Sequence, residues 1–232
     1  MRNLILAVLL LSPAMAFASD DTDADSLEPL NRAIFSLNDS LDQMIAEPMA
    51  RAYSNITPDP VEQGIANVFS NLEELTNAAN NGLQGKMGGF VHSAGRFLIN
   101  STIGIAGFFD AADNLFQMPK YEPEDFGQTL AVWGVGEGSY VMIPFLGPSS
   151  IRDAPSRFID TFTNPLRYHS NVSLRNSMTG ASLLSARAGL LGLDDLVSGD
   201  EYVFVRDIYR QRRSYLIKDG AIEDDFGDDD DY

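Results

Sequence analysis

Beyond the N-terminal run, apolar residues recur at helical rather than strand spacing. Leu27, Leu30, Ile34, Leu37, Leu41 and Met44 alternate steps of three and four, which predicts an amphipathic first helix entered through Glu28-Pro29 and ended or kinked by Pro48. Asp59-Pro60-Val61-Glu62 reads as a capped start to a second helix, with Val61, Ile65, Val68, Phe69, Leu72 and Leu75 as its apolar face and Gly82 and Gly85 as its stop. Phe90, Val91, Ala94, Phe97 and Leu98 predict a third helix. A glycine-interrupted apolar stretch follows, and no charge appears between Arg96 and Asp110.

The period changes around Trp133. Thr129-Leu130-Ala131-Val132-Trp133 and Tyr140-Val141-Met142-Ile143 flank Gly134-Val135-Gly136-Glu137-Gly138-Ser139, and two β-prone runs about a glycine-rich turn predict a hairpin. Ser150 and Asp153 then fit a variant capping box, with Pro155 in the first turns of the helix that follows. Two further helices are predicted over residues 174–193 and 202–218, separated by the capping stretch Ser198-Gly199-Asp200. The pattern is that of a mainly α chain with one short β-hairpin.

The N-terminus changes the picture of where such a chain works. Arg2, the apolar residues 4–11 and the small residues up to Ala18 form a secretory signal peptide over residues 1–18. Eight apolar residues are too few to span a bilayer, which takes roughly 20. Cleavage after Ala18 leaves one domain over residues 19–220 and an acidic tail over 221–232. Residues 219–232 hold eight acidic and no basic side chains, the composition of an unstructured interaction tail.

Charge and composition remove several function classes. The chain carries a net charge of −17, or −18 once Arg2 leaves with the signal, which disfavours nucleic-acid binding. The absence of cysteine excludes disulfides, thiolate metal sites and lipid attached through cysteine. His92 and His169 stand far apart and in no ligand-spaced pair, so no metal site is expected. The segment at Gly134, Gly136 and Gly138 lacks the Lys-Ser/Thr of a P-loop, and Gly138-Ser139-Tyr140 lacks the flanking glycines of a nucleophile elbow. No cofactor and no catalytic residue is predicted.

Read in order, several motifs together resemble the MlaA/VacJ family over residues 25–220. Asp25-Ser26-Leu27-Glu28-Pro29-Leu30-Asn31-Arg32 is similar to the family's D-P-L-E-x-x-N-R opening, with Ser26 in place of its proline. Asn71-Leu72-Glu73-Glu74 and Gly107-Phe108-Phe109-Asp110 follow. Then come Phe126-Gly127-Gln128-Thr129-Leu130, Gly134-Val135-Gly136, Gly138, Tyr140-Val141, Pro144-Phe145, Gly147-Pro148-Ser149 and Ile151-Arg152-Asp153. Tyr202-Val203-Phe204-Val205-Arg206-Asp207, with Tyr209 and Arg212, completes the series.

The resemblance implies a ring of amphipathic helices lying in the periplasmic leaflet of the outer membrane around a polar channel for lipid headgroups. It further implies phospholipid transport that maintains lipid asymmetry, with a trimeric porin and a soluble periplasmic lipid carrier as partners and no enzymatic step. Family members commonly end their signal in a lipidated cysteine, which this chain lacks; attachment then falls to apolar helix faces and a partner. A periplasmic scaffold binding porin and carrier without conducting lipid is the alternative, and a lipid hydrolase the third.

Candidate residues carry two readings each. Asn31, Asn38 and Asp42 share one helix face, which serves as a channel lining or as a solvated face. Gly134, Gly136 and Gly138 serve as a hinge or as a tight turn. Arg32, Arg152 and Arg206 suit bidentate phosphate contact, or structural pairing with Glu28, Asp153 and Asp207. Phe97, Phe108, Phe109 and Phe116 suit burial among acyl chains or in a core.

Overall fold

The computed structural model describes residues 25–192 and 199–221; the predicted signal peptide and nearly all of the acidic tail lie outside them. Helix α1 (Glu28–Leu41) starts with Pro29 in its first turn, where a missing N–H costs nothing. Pro48 does not end the helical run; it falls in the first turn of the next helix. A five-residue π-helical turn, Asp42–Ala46, loosens the backbone just ahead of the proline, and α2 (Glu47–Ile56) continues beyond.

Helix α3 (Asp59–Leu83) is the longest, about 37 Å at 1.5 Å per residue. Asp59 lies inside its first turn and makes no side-chain cap; Glu62 instead accepts from the Ser54 hydroxyl at 3.1 Å. At its other end, Lys86 N–H donates to Asn81 C=O at 2.8 Å and Gly85 N–H to Gly82 C=O at 3.1 Å. This paired C-terminal arrangement requires a left-handed residue, and Gly85 supplies it at φ +79°. The turn feeds straight into α4 (Met87–Thr102), which packs along α3.

A tight left-handed stretch, Ile105, Ala106 and Gly107, leads to α5 (Ala111–Phe116), capped by Asp110. Helix α6 (Phe126–Val132) is capped by Asp125, which accepts from Gln128 N–H at 2.9 Å. The predicted first hairpin strand is therefore helical. Its β-prone residues are overridden by this cap and by Thr129, whose buried hydroxyl donates to Asn80 Oδ1 at 2.9 Å.

The hairpin lies one segment later. Strands β1 (Tyr140–Ile143) and β2 (Gly147–Ser150) pair antiparallel, Tyr140 opposite Ser150 and Ile143 opposite Gly147. The glycine-rich residues 134–139 connect a helix to a strand. Helices α7 (Asp153–Asp160), α8 (Val172–Ala188) and α9 (Glu201–Ile217) complete the described chain. Ser150 accepts from Asp153 N–H at 3.1 Å, one half of the predicted capping box, and Asp200 caps α9.

Packing is inverted relative to a water-soluble domain. Among the described residues, eighteen polar or charged side chains are buried but only eight hydrophobic ones, five of the latter alanine. Among the described residues, an apolar cluster joins Tyr140, Met142 and Tyr202 with Ile34 and Phe35 of α1 and Val203, Val205 and Tyr209 of α9. Meanwhile Leu30, Met44, Ile56, Val91, Leu98, Ile105, Phe109 and many others are exposed.

Candidate functional site

The polar interior is built on facing helix stripes. On α3, Asn71, Glu74, Ala78 and Asn81 recur at helical spacing, and on α4 Ser93, Arg96 and Asn100 do the same. Arg96 is 2% exposed. Its Nε donates to Glu74 at 2.7 Å, its Nη2 to Asp110 at 2.9 Å, and its Nη1 to the carbonyl of Met118. Asn100 donates to Asp110 at 3.0 Å and accepts from Ala112 N–H at 2.8 Å. Burial works to raise the Asp110 pKa, but hydrogen bonds from Arg96 and Asn100 outweigh it and hold the carboxyl below its usual range.

A second ionic knot joins α6, α7 and α9. Arg213 bonds Asp125 through both terminal nitrogens, at 2.5 and 2.8 Å, and its Nε lies 2.6 Å from Asp153. Asp153 also accepts from Arg152 at 2.7 Å and from the Tyr209 hydroxyl at 2.8 Å. Gly127 sits against this knot, where a Cβ would overlap the Arg213 guanidinium and the Asp153 carboxylate. Nearby, burial pushes the Asp160 carboxyl up to about 6, against the opposing hydrogen bonds from Asn80 and the Phe126 N–H.

A cavity of about 750 Å³ opens between α1, the π-helical turn, the hairpin tip and the facing ends of α8 and α9. Its apolar wall includes Phe35, Leu41, Ile45, Met142, Phe145 and Leu146, and its charged lining is Asp39, Asp42, Glu47, Arg187 and Glu201. Arg187 of α8 grips Asp42 through two bonds of 2.8 Å and ties the π-helical turn across to that helix. This volume lies within the range of ligand sites, roughly 300–1,000 Å³.

The stripe of Asn31, Asn38 and Asp42 divides. Asn38 and Asp42 line the cavity, and Asn31 does not. Both asparagines are strand clamps. The Asn31 amide donates to Tyr140 C=O at 3.0 Å and accepts from Met142 N–H at 2.8 Å. The Asn38 amide donates to Ile143 C=O at 3.0 Å and accepts from Phe145 N–H at 2.8 Å. Seven helical residues advance about 10.5 Å and three strand residues about 10 Å, so the two amides meet β1 in step.

Each predicted arginine is engaged with acids of the chain. Arg32 binds Glu28 at 2.6 Å and Asp200 at 2.9 Å and lies over the Tyr202 ring; Arg206 binds Asp207 at 2.9 Å and Asp25 at 3.2 Å. Arg152 is buried on Asp153. Gly134 and Gly138 have left-handed backbones, at φ +87° and +71°. Phe109 and Phe116 are exposed, whereas Phe97 and Phe108 are partly covered. Sequence reasoning missed Glu74, Arg96, Asn100 and Arg213 as interior groups, although their polar three-and-four spacing was visible.

The described helices include none long and apolar enough to cross a membrane, yet their outward faces are apolar. The family model described as MlaA lipoprotein matches residues 23–216. The intermembrane phospholipid transport system lipoprotein MlaA of Escherichia coli is 35% identical over 215 residues, 89% of this chain and 85% of that protein. The protein so named in Haemophilus influenzae is 28% identical over 94% of this chain and 92% of its own length. A solved structure described as "Structural basis for maintenance of bacterial outer membrane lipid asymmetry" has a TM-score of 0.73 and 34% identity, covering 83% of this chain and 98% of its own. With sequence and fold agreeing over nearly all of the described residues, the chain belongs to the MlaA family.

Proposed function

We propose that this protein conducts phospholipid at the periplasmic face of the outer membrane, passing it between that membrane and a soluble periplasmic carrier and so maintaining lipid asymmetry. The observation that carries this reading is the inversion of the fold: charged and amide groups satisfy one another inside while apolar side chains face outward. Such a surface is costly in water and favourable in a lipid leaflet. The names of the relatives and the description of the matching structure support the same role.

Lipid moves by binding and release, with no bond made or broken. The cavity bounded by Asn38 and Asp42 is the path for the headgroup, and the loop carrying Gly134 and Gly138 lets the hairpin shift to open it. A trimeric porin and a soluble carrier are the partners. Apolar helix faces hold the chain in the leaflet, because its sequence offers no cysteine for a lipid.

Filling the cavity tests this reading. Ala46→Trp places an indole in the lining without removing a hydrogen bond from the interior. Transfer of labelled phospholipid between the reconstituted protein and acceptor vesicles should fall at least tenfold, with the helical circular-dichroism spectrum unchanged. Undiminished transfer by a folded variant would favour the scaffold alternative.

A further inference from the structure

The proposed lipid path carries charge of one sign. Of its five charged lining residues among those described, four are acidic, and the fifth, Arg187, is held bidentately by Asp42. Glu47 is partly offset by Arg51, outside the lining, which donates to it at 2.7 Å. Among the described residues, no such counter-charge pairs with Asp39 or Glu201. The Asp39 carboxylate accepts from the neutral Gln43 amide, at 3.0 Å to each oxygen, and Glu201 stands exposed in the first turn of α9. With both ion pairs counted as neutral, the site retains two negative charges beside the apolar wall of Phe35, Met142 and Phe145.

We infer that this cavity selects phospholipids whose headgroup ends in an ammonium, such as phosphatidylethanolamine, over anionic ones such as phosphatidylglycerol. An ammonium entering the cavity meets Asp39 and Glu201 as opposite charges. An anionic headgroup brings like charge to the same two carboxylates, and the cavity's guanidinium is already committed to Asp42. The inference rests on reading this cavity as the lipid path, and it adds which lipid enters.

The test uses the full mature chain in detergent, exposed to vesicles of equimolar phosphatidylethanolamine and phosphatidylglycerol with matched acyl chains. Bound lipid is identified by mass spectrometry. Half-exposed ion pairs are individually weak, so two together give a preference of roughly tenfold for the ethanolamine lipid. Asp39→Asn combined with Glu201→Gln should bring the bound ratio close to one, with the helical circular-dichroism spectrum of the parent retained. In the unmodified protein, 1 M salt should weaken the preference as well, because it shortens the screening length to about 3 Å.

Equal binding of the two lipids, or preference for phosphatidylglycerol, would overturn the headgroup inference and leave lipid conduction standing. A preference that survives both the double substitution and high salt would also overturn it, since charge would then not be its cause. No bound lipid of either kind would overturn the reading of the cavity as a lipid path, and this inference with it.

Discussion

Replacing Asn31 with alanine should destabilise the fold far more than the same change at Asn38, although the two residues share one helix face. Asn31 is 1% exposed, and its amide occupies both Tyr140 C=O and Met142 N–H. Alanine leaves those two backbone groups buried and unpaired, at about 1–3 kcal/mol each, so the expected loss is roughly 2–6 kcal/mol. Aspartate does not rescue it. It can still accept from Met142, but it cannot donate to Tyr140 and sets a carboxylate where Asn31 now donates to Asp25 at 3.0 Å. Asn38 pairs with Phe145, a residue 79% exposed, where water can replace the amide; the expected loss there is about 1 kcal/mol. Urea unfolding in a fixed detergent, with hydrogen exchange at the Met142 amide, would read both effects. An Asn31→Ala variant within about 0.5 kcal/mol of the parent, the scale of an ordinary surface change, with Met142 still protected, would refute the clamp.

Three further outcomes follow from the interior and the hairpin loop. Removing either partner of the buried Arg96–Glu74 pair should cost about 3–5 kcal/mol, and Arg96→Met with Glu74→Leu together should cost less than the two losses summed; a strictly additive double-mutant cycle would contradict the pairing. Asp160 is protonated more readily folded than unfolded. Its contribution is therefore full below its ordinary value of 3.8 and lost as pH rises through about 6. Against Asp160→Asn, the parent should lose about 1 kcal/mol of relative stability between pH 4 and 7, a figure reduced for the water that reaches this carboxyl; identical pH profiles would dismiss the assignment. In the loop, Gly138→Ala should lower stability by about 1–2 kcal/mol because φ is +71° and its Cβ would press on Ile151. Gly136→Ala should stay within about 0.5 kcal/mol, and equal thermal shifts for the two would remove the distinction.

Helical periodicity located the helices well because it depends only on local spacing. The runs beginning at Leu27, Val61 and Phe90 each fall on an observed helix, and Asp200 caps α9 as expected. Spacing could not say which face turns inward. In water the stripe of Val61, Ile65 and Phe69 would be the buried side; here Asn71, Glu74 and Asn81 of the same helix are buried instead. That choice depends on the surrounding solvent, which no local pattern records. The misplaced hairpin strand has a different cause. Asp125 three residues before Gln128 was a legible cap signal, but the β-branched Thr129 and Val132 and the aromatic Trp133 spoke for a strand until contact with α3 decided the matter. Helical spacing put Asn31, Asn38 and Asp42 on one stripe of the first helix. Its division into strand clamps and cavity lining is set by where β1 and α8 arrive, residues more than a hundred positions away.

The central claim, a polar interior within an apolar, lipid-facing exterior, is tested most directly by fractionating cells that express the native protein. Isolated outer membranes are washed first with high salt and then with alkaline carbonate, and the mature chain is followed by immunoblot. Retention through both washes is the predicted result, because apolar helix faces embedded in the leaflet resist conditions that strip proteins held by charge or by soluble partners. Recovery of the chain in the soluble periplasmic fraction would contradict the account.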